Sequence, residues 1–196
     1  MMRYMLGQPD NHLKMPVRLW FYLLGGICLA ASSLADERPW LLVDTQSSTL
    51  TVVQGERVIA KFSDIAIGRG GAAEQRLRDD NRTPLGTFRV NLINTNSKYY
   101  RFFGFDYPSL DHALRAWKAG TIDHRTYRTI SNAALNRRAP PQDTPLGGHL
   151  GIHGLGNGDH WVHRNFHWTQ GCIALTNEQI DALANWIEVG TRVVIN

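Results

Sequence analysis

From Trp40 to Phe62 the pattern of hydrophobic and polar positions is that of β-structure. Leu41–Asp44, Thr49–Val53 and Arg57–Phe62 are short, rich in Val, Ile and Thr, and separated by turn residues such as Gln54-Gly55-Glu56. Each therefore reads as a strand with one buried face, and the three form a meander in one layer of a sandwich. Ile65–Gly68 continues its edge, and Gly86–Asn94 is the next strand. Tyr99, Tyr100, Phe102, Phe103, Phe105 and Tyr107 then crowd together. Most belong to the core, with one or two left to wall a groove. After Pro108 the period changes. Leu110, Ala113, Leu114 and Trp117 follow helical spacing, with Ser109 as N-cap and Gly120 past the end. Asp123 caps a second helix with Tyr127, Ile130 and Ala134 on one face. These elements predict a helical insertion, at about residues 109–138, laid over the sandwich near its cleft. The proline-stiffened segment 139–148 delivers the chain to a short strand at His149–His153. Thr176 and Gln179 form a capping box for a helix striped by Ile180, Leu183, Ala184 and Ile187. Arg192–Ile195 closes the fold as a strand. The fold class expected is mainly β: a sandwich of mixed sheets with a helical insertion and a C-terminal helix.

The N-terminus has another pattern. An apolar run, Leu19–Ala31, follows Lys14 and Arg18 and ends at Ser33-Leu34-Ala35, the small-x-small form of an export signal. Residues 1–35 are expected to be that signal, cleaved after Ala35, with Met15 as an alternative start that gives it the usual length. Residues 36–196 are then a single domain, placed in the periplasm, whose only relation to the membrane is the signal. Cleavage also removes Cys28 and leaves Cys172 alone. A lone cysteine in an oxidising compartment cannot be half of an intramolecular staple, so it is either buried or reactive.

Charge narrows the partners. The whole chain carries +4, and loss of three basic and one acidic residue with the signal leaves +2. No basic stripe interleaves with aromatics, which argues against nucleic acid. The charged run Gly70–Arg82 reads as a solvated loop, with Arg82 as the base it can offer to a cleft.

Candidate chemistry concentrates in His149–Asn177, which holds five of the eight histidines and Cys172. A thiol attacks a carbonyl well only as thiolate, and an imidazole that takes its proton lowers its pKa. His153 is the candidate base. The carbonyl of Gly154 can accept its Nδ1 proton and fix the tautomer in place of an acidic side chain. Gly171 lets the backbone approach closely, and the N–H groups of Gly171 and Cys172 are candidate oxyanion donors. A metal is the competing use of these histidines. On a strand His149 and His153 stand about 13 Å apart, too far for one ion. His160, His163 and His167 with Asp159 remain an alternative zinc set.

The pattern H-x-G-I-H-G at 149–154, followed by [S/T]-x-G-C-I-x-L at 169–175, resembles the L,D-transpeptidase catalytic domain family, of YkuD type. Thr83-Pro84-Leu85-Gly86-Thr87-Phe88, Ile65-Ala66-Ile67-Gly68 and the closing Gly190–Ile195 are similar to other motifs of that family. The wording around Cys172 resembles a Gram-negative subgroup. The resemblance implies a YkuD-like sandwich and no cofactor. It implies a peptidoglycan enzyme in which Cys172 attacks tetrapeptide stems, with His153 as base. The acyl acceptor would be another stem or a wall-anchored lipoprotein. Water as acceptor would make it a hydrolase of the same bonds, and a wall-binding module without turnover is a further alternative. Many members carry Arg two positions after the Cys, where this chain has Ala174, and Gln170 and Thr169 replace commoner residues. Carboxylate recognition then moves to another base, Arg82 or Arg164, with His149, Thr169 and Gln170 as further substrate contacts.

Cleavage after Ala35 has a direct check. The protein recovered from an exporting host should begin at Asp36 by N-terminal sequencing, and retention of Leu19–Ala31 in the recovered chain would contradict it.

Overall fold

The computed structural model describes residues 38–196. The expected signal and its cleavage point lie outside the described residues, which all fall within one compact unit.

The meander forms where the short strand-like segments and their turns predict it. β1 (Trp40–Asp44) pairs antiparallel with β2 (Thr49–Gln54), which pairs antiparallel with β3 (Arg57–Phe62). Leu41, Val43, Leu50 and Val52 all point into the core and are fully buried. A two-stranded parallel piece follows, β4 (Ala72–Ala73) with β5 (Thr83–Pro84). The long β6 (Gly86–Ser97) and β7 (Tyr100–Phe105) make the next hairpin. Helices α1 (Leu110–Lys118) and α2 (His124–Leu135) come next, then β8 (Gly151–His153), α3 (His160–Asn165) and β9 (Ile173–Ala174). The chain ends with α4 (Asn177–Leu183), one 3-10 turn (Ala184–Trp186) and β10 (Arg192–Ile195).

The main sheet has eight strands in the order β3-β2-β1-β10-β6-β7-β8-β9. β10 runs parallel to β1 and antiparallel to β6, so the last strand occupies the middle of the sheet. β6 serves both layers. Its Gly86–Arg89 end pairs with β10 and the remainder with β7. The far ends of the sheet meet again, because Ala66 bridges Ala174 and Gly68 bridges Thr169. Ile65–Gly68 therefore does not continue the edge of the meander, as the pattern suggested. It crosses to β9, exchanging Ala66 N–H to Ala174 O at 3.0 Å and Ala174 N–H to Ala66 O at 2.7 Å. One hydrophobic cluster fills the space within, joining Leu41, Val52, Phe88, Phe103, Ile152 and Ile173 from both layers.

The helices form where their caps predict. The Ser109 side chain caps α1, Asp123 caps α2, and Thr176 with Gln179 completes a capping box on α4. The buried face of α1 is rotated from the expected one. His112, Ala113 and Ala116 are buried, whereas Leu110 and Trp117 are exposed. The reason is polar. The His112 ring bonds to Ser109 Oγ at 2.7 Å and to the Leu85 carbonyl at 3.1 Å, and it stacks on Phe88. Trp117 instead stacks on Tyr127 of α2, with centroids 4.9 Å apart. None of residues 109–138 lines the main cavity, so the insertion braces the sandwich away from the cleft. α3 was not expected; its N-cap is Asp159, which accepts from the Trp161 and Val162 N–H groups.

Replacing Thr176 by Ala removes the reciprocal cap on the helix that follows β9. The expected loss is about 1 kcal/mol, read as a fall in Tm of about 2–4 °C for a domain of this size. An unchanged Tm would show that the cap contributes nothing to global stability.

Candidate active site

β8 is a three-residue strand held between β7 and β9. Gly151 is required at its start, since a Cβ there would run into the Phe103 carbonyl. Two residues on, His153 pairs with Phe102 on one side and Ala174 on the other, and it is only 2% exposed. Its Nδ1 lies 2.7 Å from the Gly154 carbonyl. A carbonyl only accepts, so the neutral ring carries its proton on Nδ1 and leaves the Nε2 lone pair free. Tyr99 stacks on the ring at 4.3 Å and Trp168 meets it edge-on at 5.7 Å. Trp168 is itself held, its Nε1–H donating to His163 Nδ1 at 3.3 Å. Desolvation lowers the His153 pKa to about 4, overriding the raising effect of the Gly154 bond.

Cys172 sits just before β9, where Gly171 turns the chain at φ +120°. That turn is braced from two sides. The Thr169 hydroxyl donates to the Cys172 carbonyl at 2.6 Å and accepts the Gly171 N–H at 3.1 Å. The Thr83 hydroxyl donates to the Gly171 carbonyl at 3.0 Å and accepts the Gly68 N–H at 2.9 Å. Parallel pairing sets Ile152 opposite Ile173 and His153 opposite Ala174. Extending this register by one residue puts Cys172 across from Gly151, on the face that carries His153. Both side chains wall a single cavity of about 760 Å³.

The thiol is not part of a resting ion pair. Its Sγ–H points to the His149 carbonyl at 3.6 Å, and no hydrogen bond joins it to the imidazole among the described residues. Burial pushes its pKa up to about 11, against smaller lowering effects of the Gly151 backbone and Arg76. The expectation that the imidazole lowers the thiol pKa at rest is therefore corrected. With the imidazole near 4 and the thiol near 11, both groups are neutral around pH 7.

Other expected site residues divide. His149, at φ +56°, and the exposed Gln170 line the cavity. Thr169 also borders it, but it is 3% exposed and its hydroxyl is spent on the Cys172 turn, so it positions the loop rather than binding a ligand. The Gly171 N–H is likewise engaged by Thr169 in this state, at 3.1 Å. Arg82 and Arg164 do not border the cavity. Arg82 is exposed and backs Gly171 with its carbonyl, and Arg164 lies on the exposed face of α3. The base that does border it is Arg76, 4% exposed, within the run read as a solvated loop. Its sequence signal was faint, since nothing in a string of charges marks which one turns inward. No three His, Cys, Asp or Glu side chains converge as a metal site among the described residues. His163 and His167 already accept bonds, from Trp168 and from the Ile67 N–H.

Fold and motif placement together define the class. This chain belongs to the L,D-transpeptidase catalytic domain family, YkuD, whose sequence model matches residues 38–195. Among solved structures, the helical cell shape determining protein Pgp2 from Campylobacter jejuni (K307A mutant) is similar, with a TM-score of 0.57 at 20% identity. The match covers 82% of this chain and 47% of that one. Bd1075 from Bdellovibrio bacteriovorus gives a TM-score of 0.53 at 18% identity, covering 84% of this chain and 50% of that one. At these identities the likeness is one of fold, and the chain spans about half the length of either structure. No curated protein matches the sequence.

The neutral pair makes a prediction about pH. Since the thiol must lose its proton to be alkylated, iodoacetamide labelling of Cys172 should quicken about tenfold per pH unit from pH 6 to 10. His153 stays neutral above about 4 and adds no step to that range. A plateau or shoulder in labelling rate between pH 6 and 8 would instead reveal a resting thiolate–imidazolium pair.

Proposed function

We propose that this domain is a peptidoglycan L,D-transpeptidase that works through a thioester on Cys172. The observation that carries the reading is the cavity wall itself, where a thiol and a tautomer-fixed imidazole share one face. In the resting state the thiol leans on the His149 carbonyl. As a stem enters, the thiol turns to the Nε2 lone pair of His153, which takes the proton as sulfur bonds to the carbonyl carbon of the third stem residue. The oxyanion is met by the Cys172 N–H, the member of the expected donor pair that Thr169 does not engage. Collapse breaks the amide bond. His153 returns the proton to the leaving amine of the terminal D-alanine, and a thioester remains. An acceptor amine then attacks that thioester, loses its proton to His153, and the proton returns to sulfur. Lowering the His153 pKa makes it a weak base, but it also keeps the ring unprotonated wherever the enzyme works.

The acceptor is another stem or the lysine of a wall-anchored lipoprotein, and the reaction takes place in the periplasm after export. A part in cell shape, the role named for Pgp2, comes to this chain as an element of the same proposal.

Incubating the mature protein with tetrapeptide muropeptides, with and without an added amine, and weighing the products tests this. Cross-linked or amine-capped stems are expected, and tripeptides alone would reassign the domain as a hydrolase. Cys172→Ala should abolish turnover. His153→Ala should lower kcat/KM by about 10²–10⁴-fold, with a much smaller loss for His149→Ala. Equal losses would place the base elsewhere. A carbapenem should add one adduct to the intact mass, at Cys172.

A further inference from the structure

The cavity contains a buried cation with unused donors. Arg76 is 4% exposed and stands on the same wall as Cys172 and His153. Its Nε and Nη2 donate to the Leu77 carbonyl at 3.4 and 3.3 Å, and Asp80 lies 3.7 Å from Nε. Tyr107 places its ring face 5.8 Å from the guanidinium carbon. Nη1 is different. It is buried and has no hydrogen-bond partner among the described residues. A buried donor without an acceptor costs free energy, and the cost is greater on a charged group. A ligand that supplies the acceptor removes it.

Two glycines make the space in which this guanidinium sits. A Cβ on Gly171 would lie 2.7 Å from Nη1, and a Cβ on Gly147 would lie 3.3 Å from Nη2. Gly171 directly precedes Cys172, and consecutive Cα atoms are about 3.8 Å apart. Nη1 therefore lies beside the residue that precedes Cys172, on the order of 8 Å or less from the Cys172 Cα. The approach is cationic as well. Arg69, Arg78 and Lys98 border the cavity with Asp79 and Asp143, and Arg78 is paired to Asp143 at 2.6 Å.

We propose that Arg76 anchors a free carboxylate of the acyl donor, the one carried by the residue that leaves when Cys172 is acylated. The inference rests on Cys172 being the nucleophile, and it deepens that reading by naming what the site recognises beside the scissile bond. A guanidinium presents parallel N–H groups that fit a carboxylate, and the fit is lost with a neutral amide in its place. Arg76 thereby selects donors that end one residue beyond the attacked carbonyl.

The test uses two thiol reagents that differ only in the group Arg76 would hold. Cys172 is alkylated at pH 8.5 with iodoacetate and with iodoacetamide, and the ratio of rates is compared among the parent protein, Arg76→Lys and Arg76→Met. The parent ratio should exceed that of Arg76→Met by at least about tenfold, as loss of a charge-assisted bond implies, with Arg76→Lys between them. Equal ratios would overturn the assignment. If Arg76→Met fails to fold, the parent protein decides alone. N-acetyl-D-alanine should then protect Cys172 from iodoacetamide while its carboxamide does not, and equal protection or none rejects the anchor. Donor stems with a C-terminal carboxylate or carboxamide separate this proposal from transpeptidation itself. Turnover of both with the same KM keeps the enzyme and removes the anchor. Arg76-dependent reagent selectivity in a protein that leaves all stems untouched keeps the anchor and removes the transpeptidase.

Discussion

Parallel pairing of two very short strands, Gly151–His153 and Ile173–Ala174, is the contact on which the cleft depends. Neither segment could hold a geometry alone. Three residues beside two make few hydrogen bonds, and the loop between them contains its own helix. The pairing persists because both strands are trapped. β7 flanks one side, Ala66 bonds to Ala174 on the other, and Ile152 and Ile173 are fully buried beneath. A slip of one residue would reverse the faces of His153 and Cys172 relative to the core. The buried isoleucines forbid it, so the same contacts that stabilise the sheet keep imidazole and thiol on one wall.

Around that pairing the chain uses small polar groups rather than acids to set orientation. A backbone carbonyl fixes the His153 tautomer, two threonines brace the Cys172 turn, and aromatic faces hold the imidazole. Thr83 gives the sequence motif around it a physical purpose. Its hydroxyl ties Gly68 to Gly171, joining two segments 103 residues apart through a single atom.

Much of this was legible from periodicity and caps. Composition and turn residues placed the strands Leu41–Asp44, Thr49–Val53 and Arg57–Phe62, and Ser109, Asp123 and Thr176 marked where helices begin. Motif spacing singled out Cys172 and His153. What escaped was information held in tertiary partners. His112 turned α1 because its ring had two acceptors or donors waiting, which apolar spacing does not register. Ile65–Gly68 reads as one more edge strand until the sheet curls and offers it β9. Arg76 looked like its neighbours Arg78 and Arg82, and only Tyr107, Gly147 and Gly171 make a pocket for it. The pKa expectation failed for a related reason: burial, invisible in a motif, dominates both members of the pair.

A thiol kept protonated by its surroundings has a consequence for the lifetime of the protein. Peroxide attacks the thiolate, and conversion to sulfenic acid and beyond follows the fraction of sulfur that is ionised. With the Cys172 pKa near 11, that fraction at neutral pH is small. The Cys172 sulfur is thus chemically quiet in the resting protein.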